Sequence, residues 1–273
     1  MTMSRTIMAV VLATVSGATQ AYAQEWTGGY ISGHIGFSKI AEGSDNVLVF
    51  DKNLDGDFSD TITTAAGANA FSPGFCVGAA VTSLPAAGCT VDDDGIDFGG
   101  RAGYDWQSGG FVVGGLAELS APDHIDSVSA FSTTPAFYTF TRELSYVGSL
   151  RARAGFGNER MLIYGTGGGA WAKIDHSFAT SNTANTFVED ADDMAWGYQL
   201  GGGLDVKFGK VTAGAEYLWT SLMDEDRYTV RSQGPAAATN PFLLTNPAGT
   251  DIRRADKFKF EFGSIRFTMG YRF

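Results

Sequence analysis

A chain of 273 residues with 30 acidic and 19 basic side chains is long enough for one large domain, and it lacks the basic stripe that a nucleic-acid partner requires. Its 36 Gly, 20 Phe, 10 Tyr and 5 Trp against 7 Pro suit long, closely packed strands. Two cysteines without a Cys/His cluster at metal spacing exclude a zinc module.

The chain opens on an export signal. Arg5 supplies the positive start, Ile7 to Val15 is apolar but too short to cross a bilayer as a helix, and Ala21 and Ala23 are small residues at the two cleavage-determining positions. These features predict a signal peptide over 1–23 and a mature single domain over 24–273. No later stretch of about 18 apolar residues occurs, so any membrane crossing must use strands.

The first predicted strand runs from about Tyr30 to Ser38, with Ile31, Ile35 and Phe37 opposed to Ser32, His34 and Ser38. A long loop follows over about 39–96, with nine acidic and two basic residues. Within it Asp51, Asn53, Asp55 and Asp57, with Gly56 at the turn, match the start of a calcium-binding loop. Position twelve is Ile62 instead of the bidentate Glu, with Asp60 as a substitute ligand, so a solvated acidic turn stands beside the calcium reading. Cys76 and Cys89 flank a Pro- and Gly-containing segment, and an exported chain is expected to join them as a disulfide.

Alternation then becomes regular. Phe98, Ala102, Tyr104 and Trp106 oppose Asp97, Arg101, Asp105 and Gln107; Phe111, Val113, Ala117 and Leu119 oppose Glu118. Leu144, Tyr146, Leu150, Ala152, Ala154 and Phe156 alternate with Ser145, Ser149, Arg151 and Arg153. A fifth strand covers about 161–175 with its register open. Trp196, Tyr198, Leu200, Leu204, Val206 and Phe208 oppose Gln199, Asp205 and Lys207, and Val211, Ala213, Ala215, Tyr217 and Trp219 oppose Thr212, Glu216 and Thr220. The last strand, Ile265 to Phe273, is apolar at every odd position. Upstream, Phe258, Phe260 and Phe262 are even, which predicts a bulge near Gly263-Ser264 unless these rings point inward.

Short turns around 108–110, 157–160 and 209–210 alternate with long connections at 39–96, 121–142, 176–193 and 221–257. The expected fold is all-β: a transmembrane antiparallel up-and-down β-barrel of about eight strands with long external loops. A soluble β-sandwich predicts neither this alternation of links nor the lipid-like stripes.

Four segments carry a family resemblance: Trp-Thr-Gly-Gly-Tyr-Ile-Ser-Gly from Trp26, Gly-Tyr-Asp-Trp from Gly103, Glu-Tyr-Leu from Glu216 and the terminal Gly-Tyr-Arg-Phe. With the export signal, they resemble small outer-membrane barrels of the opacity-porin type, similar in plan to the membrane domain of outer-membrane protein A. The resemblance implies an outer-membrane location with both termini periplasmic, lipid and lipopolysaccharide as surroundings, and Phe273 as part of the signal read by the barrel-assembly machinery. The long first loop departs from that plan, and no peptidoglycan-binding domain follows Phe273, so a wall-anchoring role is not carried over.

Nothing in the pattern points to catalysis. Ser32 and His34 share a strand face, but that spacing is the strand repeat, and we read them as hydrogen-bond filling. The runs Gly167–Gly169 and Gly201–Gly203 sit mid-strand and are expected to make room inside the barrel for Arg151, Arg153 and Trp171. The inward faces carry Asp97, Asp105, Glu118, Asp175, Asp205 and Glu216 against Arg101, Arg151, Arg153, Lys173, Lys207, Arg266 and Arg272. Charges so nearly balanced in a narrow lumen predict mutual pairing and a plugged interior. Three functions stay open: a structural and surface-interaction barrel, a narrow channel for small solutes, and a receptor for a ligand such as haem, for which Phe137, Tyr138 and Phe140 lie near His124 in sequence. No cofactor is expected beyond calcium in the acidic loop, and the oligomeric state is left open.

Overall fold

The computed structural model describes residues 25–41, 47–92, 95–190, 193–223, 228–255 and 259–273. The expected signal peptide and Phe258 lie outside them. The described strands are β1 (Gly28–Ile40), β2 (Leu48–Asp51), β3 (Gly74–Val77), β4 (Ile96–Ser108), β5 (Phe111–Pro122), β6 (Ile125–Ser132), β7 (Ala136–Gly157), β8 (Met161–Thr180), β9 (Thr186–Asp190), β10 (Met194–Phe208), β11 (Val211–Met223), β12 (Thr229–Gln233), β13 (Thr250–Arg254) and β14 (Lys259–Arg272).

Eight of these close into a barrel in the order β7-β5-β4-β1-β14-β11-β10-β8, sealed by pairing of β8 with β7. The ladder from Trp171 passes through Gly148, Leu119, Gly100, Gly33, Met269, Ala213 and Val206 to Met161, ten residues back along β8. A stagger of ten over eight strands corresponds to a tilt of about 40°, and a barrel this narrow is filled by side chains. Gly109 and Gly209, at φ 60° and 65°, supply the left-handed residues that close the short β4–β5 and β10–β11 turns. The predicted alternation of short and long links is present.

Outward residues form an apolar band edged by two aromatic girdles. At the loop end Trp171 and Trp196 stand 6.3 Å apart; at the turn end Tyr104 packs on Trp106, Phe111 on Phe156, and Tyr271 on Phe273. Three expectations about strand faces are corrected. No bulge interrupts β14, whose register with β11 runs unbroken from Val211↔Tyr271 to Met223↔Lys259. Phe260 and Phe262 simply continue the inward face and are buried, because the lining changes from ionic to aromatic toward the loop end. A register shift does occur between Leu144 and Tyr146 on β7, and it turns Leu144 inward, away from the lipid stripe expected for it. Trp171 likewise lies on the outer face, its ring over Gly148, and not in the lumen.

The long connections carry strands of their own. β7 and β8 continue past the membrane band, β6 pairs with the upper part of β7, and β3 pairs with β6. A second sheet, β2-β13-β12-β9, packs against this raised wall. Between them lies an apolar core that includes Phe50, Ile62, Phe71, Val128, Tyr138, Phe140, Val230, Phe242 and Ile252. Such a core, with rings at 4.5–5.9 Å such as Phe50–Phe71 and Phe71–Phe242, makes the external region a folded cap.

Candidate functional site

The lumen is the first candidate site, and every residue of the expected charge network is buried in it: Arg101, Glu118, Arg151, Arg153, Asp205, Glu216 and Arg266. Strand alternation places these side chains inward, and inward glycines leave them space. A Cβ on Gly103 would meet the Tyr30 hydroxyl at 2.5 Å, and one on Gly203 the Tyr164 hydroxyl at 2.7 Å.

Two chains of ion pairs run through the interior. Near the turn end, Arg272 donates to Asp105 at 2.8 Å, and Arg153 donates to Asp105 at 2.7 Å and to Asp205 at 3.2 Å. The Arg153 guanidinium lies 4.4 Å from the Tyr30 ring centre and 5.1 Å from that of Tyr164. Higher up, Glu216 accepts from Arg101 at 2.9 Å and from Arg151 at 3.2 Å; Glu118 accepts from Arg151 and from Arg266, both at 2.6 Å; Arg266 also donates to Asp97 at 2.5 Å. Each carboxylate thus meets at least one guanidinium, which offsets the cost of removing both from water.

The buried set is five carboxylates (Asp97, Asp105, Glu118, Asp205, Glu216) and five arginines (Arg101, Arg151, Arg153, Arg266, Arg272). Three residues expected inside are placed elsewhere. Lys173 and Asp175 alternate in phase with Trp171, opposite to the buried Ala172 and Ile174, so they stand on the outer face near the loop end and pair with each other, while Lys207 pairs with Glu25 at 2.7 Å at the turn end.

Above the ions the lining becomes apolar. Leu144, Val147, Ile174, Leu222, Phe260 and Phe262 form one buried cluster, with His124 5.0 Å from the Phe262 ring. The cap closes over this cluster through Asp126, which accepts from Arg142 at 2.6 Å and from Arg254 at 3.0 Å and so ties β13 to β6 and β7. Burial opposes ionisation of Asp126, but Arg254 and Arg142 outweigh it and hold the carboxyl below its ordinary value. This junction went unseen in the sequence, because two charges of the second connection and one of the fourth carry no shared pattern.

Cys76 and Cys89 are disulfide-bonded. His34 contacts Asp97 at 3.4 Å while Ser32 accepts from Arg101 at 2.9 Å, so the two have different partners. His124 packs on Phe262 in the luminal cluster, whereas Tyr138 and Phe140 belong to the cap core, so His124 does not share a patch with these two rings. In loop one, Asp51 accepts from the N–H groups of Leu54, Asp55 and Gly56, Asp55 from that of Asp57, and Asp57 from that of Ser59. These bonds account for the acidic run as a self-capped turn, and among the described residues no three His, Cys, Asp or Glu side chains gather to hold a metal ion.

A closed eight-stranded barrel with a lipid stripe and two aromatic girdles is the geometry of an outer-membrane protein, and the match to a family model decides it. The family, described as outer membrane protein beta-barrel domain, matches residues 8–273. The chain belongs to that family. Among its relatives, the 31 kDa outer-membrane immunogenic protein of Brucella melitensis is 28% identical over 200 residues, covering 72% of this chain and 71% of the relative. The 22 kDa outer membrane protein of Rhizobium leguminosarum bv. viciae is 29% identical over 132 residues, 47% of this chain and 54% of the relative. Among solved structures, the outer membrane protein OprG of Pseudomonas aeruginosa aligns over 92% of this chain and 99% of its own, at 13% identity and a TM-score of 0.48. The protein therefore resides in the outer membrane. Barrels of this kind keep short turns in the periplasm, and the first and last described residues lie at that end, where the Phe273 N–H donates to Gly29.

Proposed function

We propose that the barrel does not conduct solutes and serves the envelope structurally, presenting its cap as a surface for external contacts. The observation that carries this is the stacking of three closures along one axis: the ion-pair network, the Phe260–Phe262 plug and the cap joined through Asp126. A channel needs a continuous wet path, and eight strands leave space that these side chains fill. Lipid and lipopolysaccharide surround the band, and the barrel-assembly machinery is the partner that inserts it; neither requires a lumen. Cells lacking the protein should become more sensitive to detergent and chelator, and a variant with the band and network intact but with loop-tip substitutions should restore resistance. Unchanged sensitivity on deletion would remove the structural role.

A further inference from the structure

The sixteen residues from Cys76 to Val91 contain no Asp, Glu, Lys, Arg or His, although the loop that holds them is acidic. They fold as a hairpin. Ala80 bridges Cys89, the Thr90 N–H donates to Ala79 at 2.9 Å, that of Val81 to Gly88 at 3.2 Å, and the disulfide closes the base. Its apolar side chains are not used in any core of the described residues: Val91 is 89% exposed, Val81 57% and Leu84 56%. Single exposed apolar residues are ordinary, but a charge-free hairpin that displays several of them marks a contact surface.

The attachment of the hairpin indicates what covers it. β3 runs antiparallel to β6 from Gly74↔Phe131 to Val77↔Val128, so the chain descends toward the membrane as it enters the hairpin. The Gly78 N–H donates to the Ser127 carbonyl at 2.8 Å, and the Ala80 N–H to the Ser129 hydroxyl at 2.9 Å. Ser127 and Ser129 alternate with Val128 and Ala130, which face the cap core, so the hairpin is fastened to the outer side of the raised wall and not over the barrel mouth. After Val91 the chain reaches the barrel rim within a few residues, where Gly95 exchanges backbone hydrogen bonds with Ser38. Ile96 and Phe98 then begin the lipid-facing stripe. The exposed apolar surface is thus close in chain to the lipid band and lies on the same outer side of the wall.

We infer that the Cys76–Cys89 hairpin rests on the outer leaflet beside the barrel, with Val81, Leu84 and Val91 against lipid. A short apolar element at an interface binds through its buried area, and the absence of charge removes the penalty of bringing it there. Fixed on the wall at one end and on lipid at the other, the hairpin would hold the cap at a set height above the membrane.

The test is spin-label accessibility in the full-length protein, native disulfide intact, reconstituted in nanodiscs of phosphatidylcholine and in nanodiscs containing lipopolysaccharide. A label at Leu84→Cys should collide more with oxygen and less with a water-soluble nickel chelate than a label at Ala66→Cys, an exposed position elsewhere in loop one. Adding Val81→Asp should move the Leu84 label toward the chelate-accessible value. Equal chelate access at both sites would overturn the inference. Shielding at Leu84 that grows with protein concentration would also overturn it and assign the surface to a second copy of the chain.

Discussion

Arg266 and Asp97 meet at 2.5 Å across Gly36, which is register partner to both of them on the intervening strand β1. The two charged residues are 169 positions apart in sequence, and only the closed sheet brings them together. Gly36 has no side chain to give: a Cβ there would lie 2.2 Å from the Ile265 carbonyl oxygen. Gly36→Ala should therefore force β1 away from β14 and lower the yield of folded barrel, read as the fraction that stays compact on an unheated gel. An unchanged folded fraction would mean that the rim tolerates this displacement.

Glu118 should be a stability residue and not a selectivity residue. It bridges Arg151 and Arg266, and Glu118→Ala leaves both buried guanidinium groups short of an acceptor. Breaking a buried pair in this way costs about 3–5 kcal/mol. Urea unfolding from lipid vesicles should show a loss of that order with no new ion current.

The cap should loosen at low pH through Asp126. Its native carboxyl is held below the ordinary value, near 3.9 for Asp, so its contribution to stability is fully present above that range. The contribution is lost as pH falls through the lowered native value. Protease protection of the loops should be constant from pH 8 to 5 and fall only in stronger acid. Asp126→Asn should lower protection already at pH 7, since Arg142 and Arg254 then face a neutral amide. Protection that changes between pH 7 and 5 would point to a group other than this carboxyl.

Asp51 is buried and accepts three backbone N–H groups, so Asp51→Ala should open the loop-one turn to protease. The wild-type turn should resist equally in calcium and in chelator. Protection that appears only with calcium would support cation binding by Asp51, Asn53, Asp55 and Asp57.

The membrane part of this fold was legible because lipid outside and ions inside impose a period of two on almost every crossing strand. Asp97, Arg101 and Asp105 against Phe98, Tyr104 and Trp106 specify β4 without knowledge of its neighbours. The period misled near the loop end of the barrel. Phe260 and Phe262 resemble lipid-facing residues because the plug they enter is itself apolar, and Leu144 changes side at a register shift that hydropathy does not mark. The cap was illegible for a different reason. Its core joins Phe50, Phe71, Tyr138, Val230 and Ile252 from three different loops, and its short strands are too brief to show a period.

A lumen closed to water and ions is the central proposal for this barrel. Purified protein inserted in planar bilayers should give no stable current steps in potassium chloride, and Glu118→Ala should leave the record equally silent. Reproducible ion-selective steps from the wild-type monomer, lost or altered in sign preference on substitution of Glu118 or Arg151, would contradict the account and make the barrel a channel.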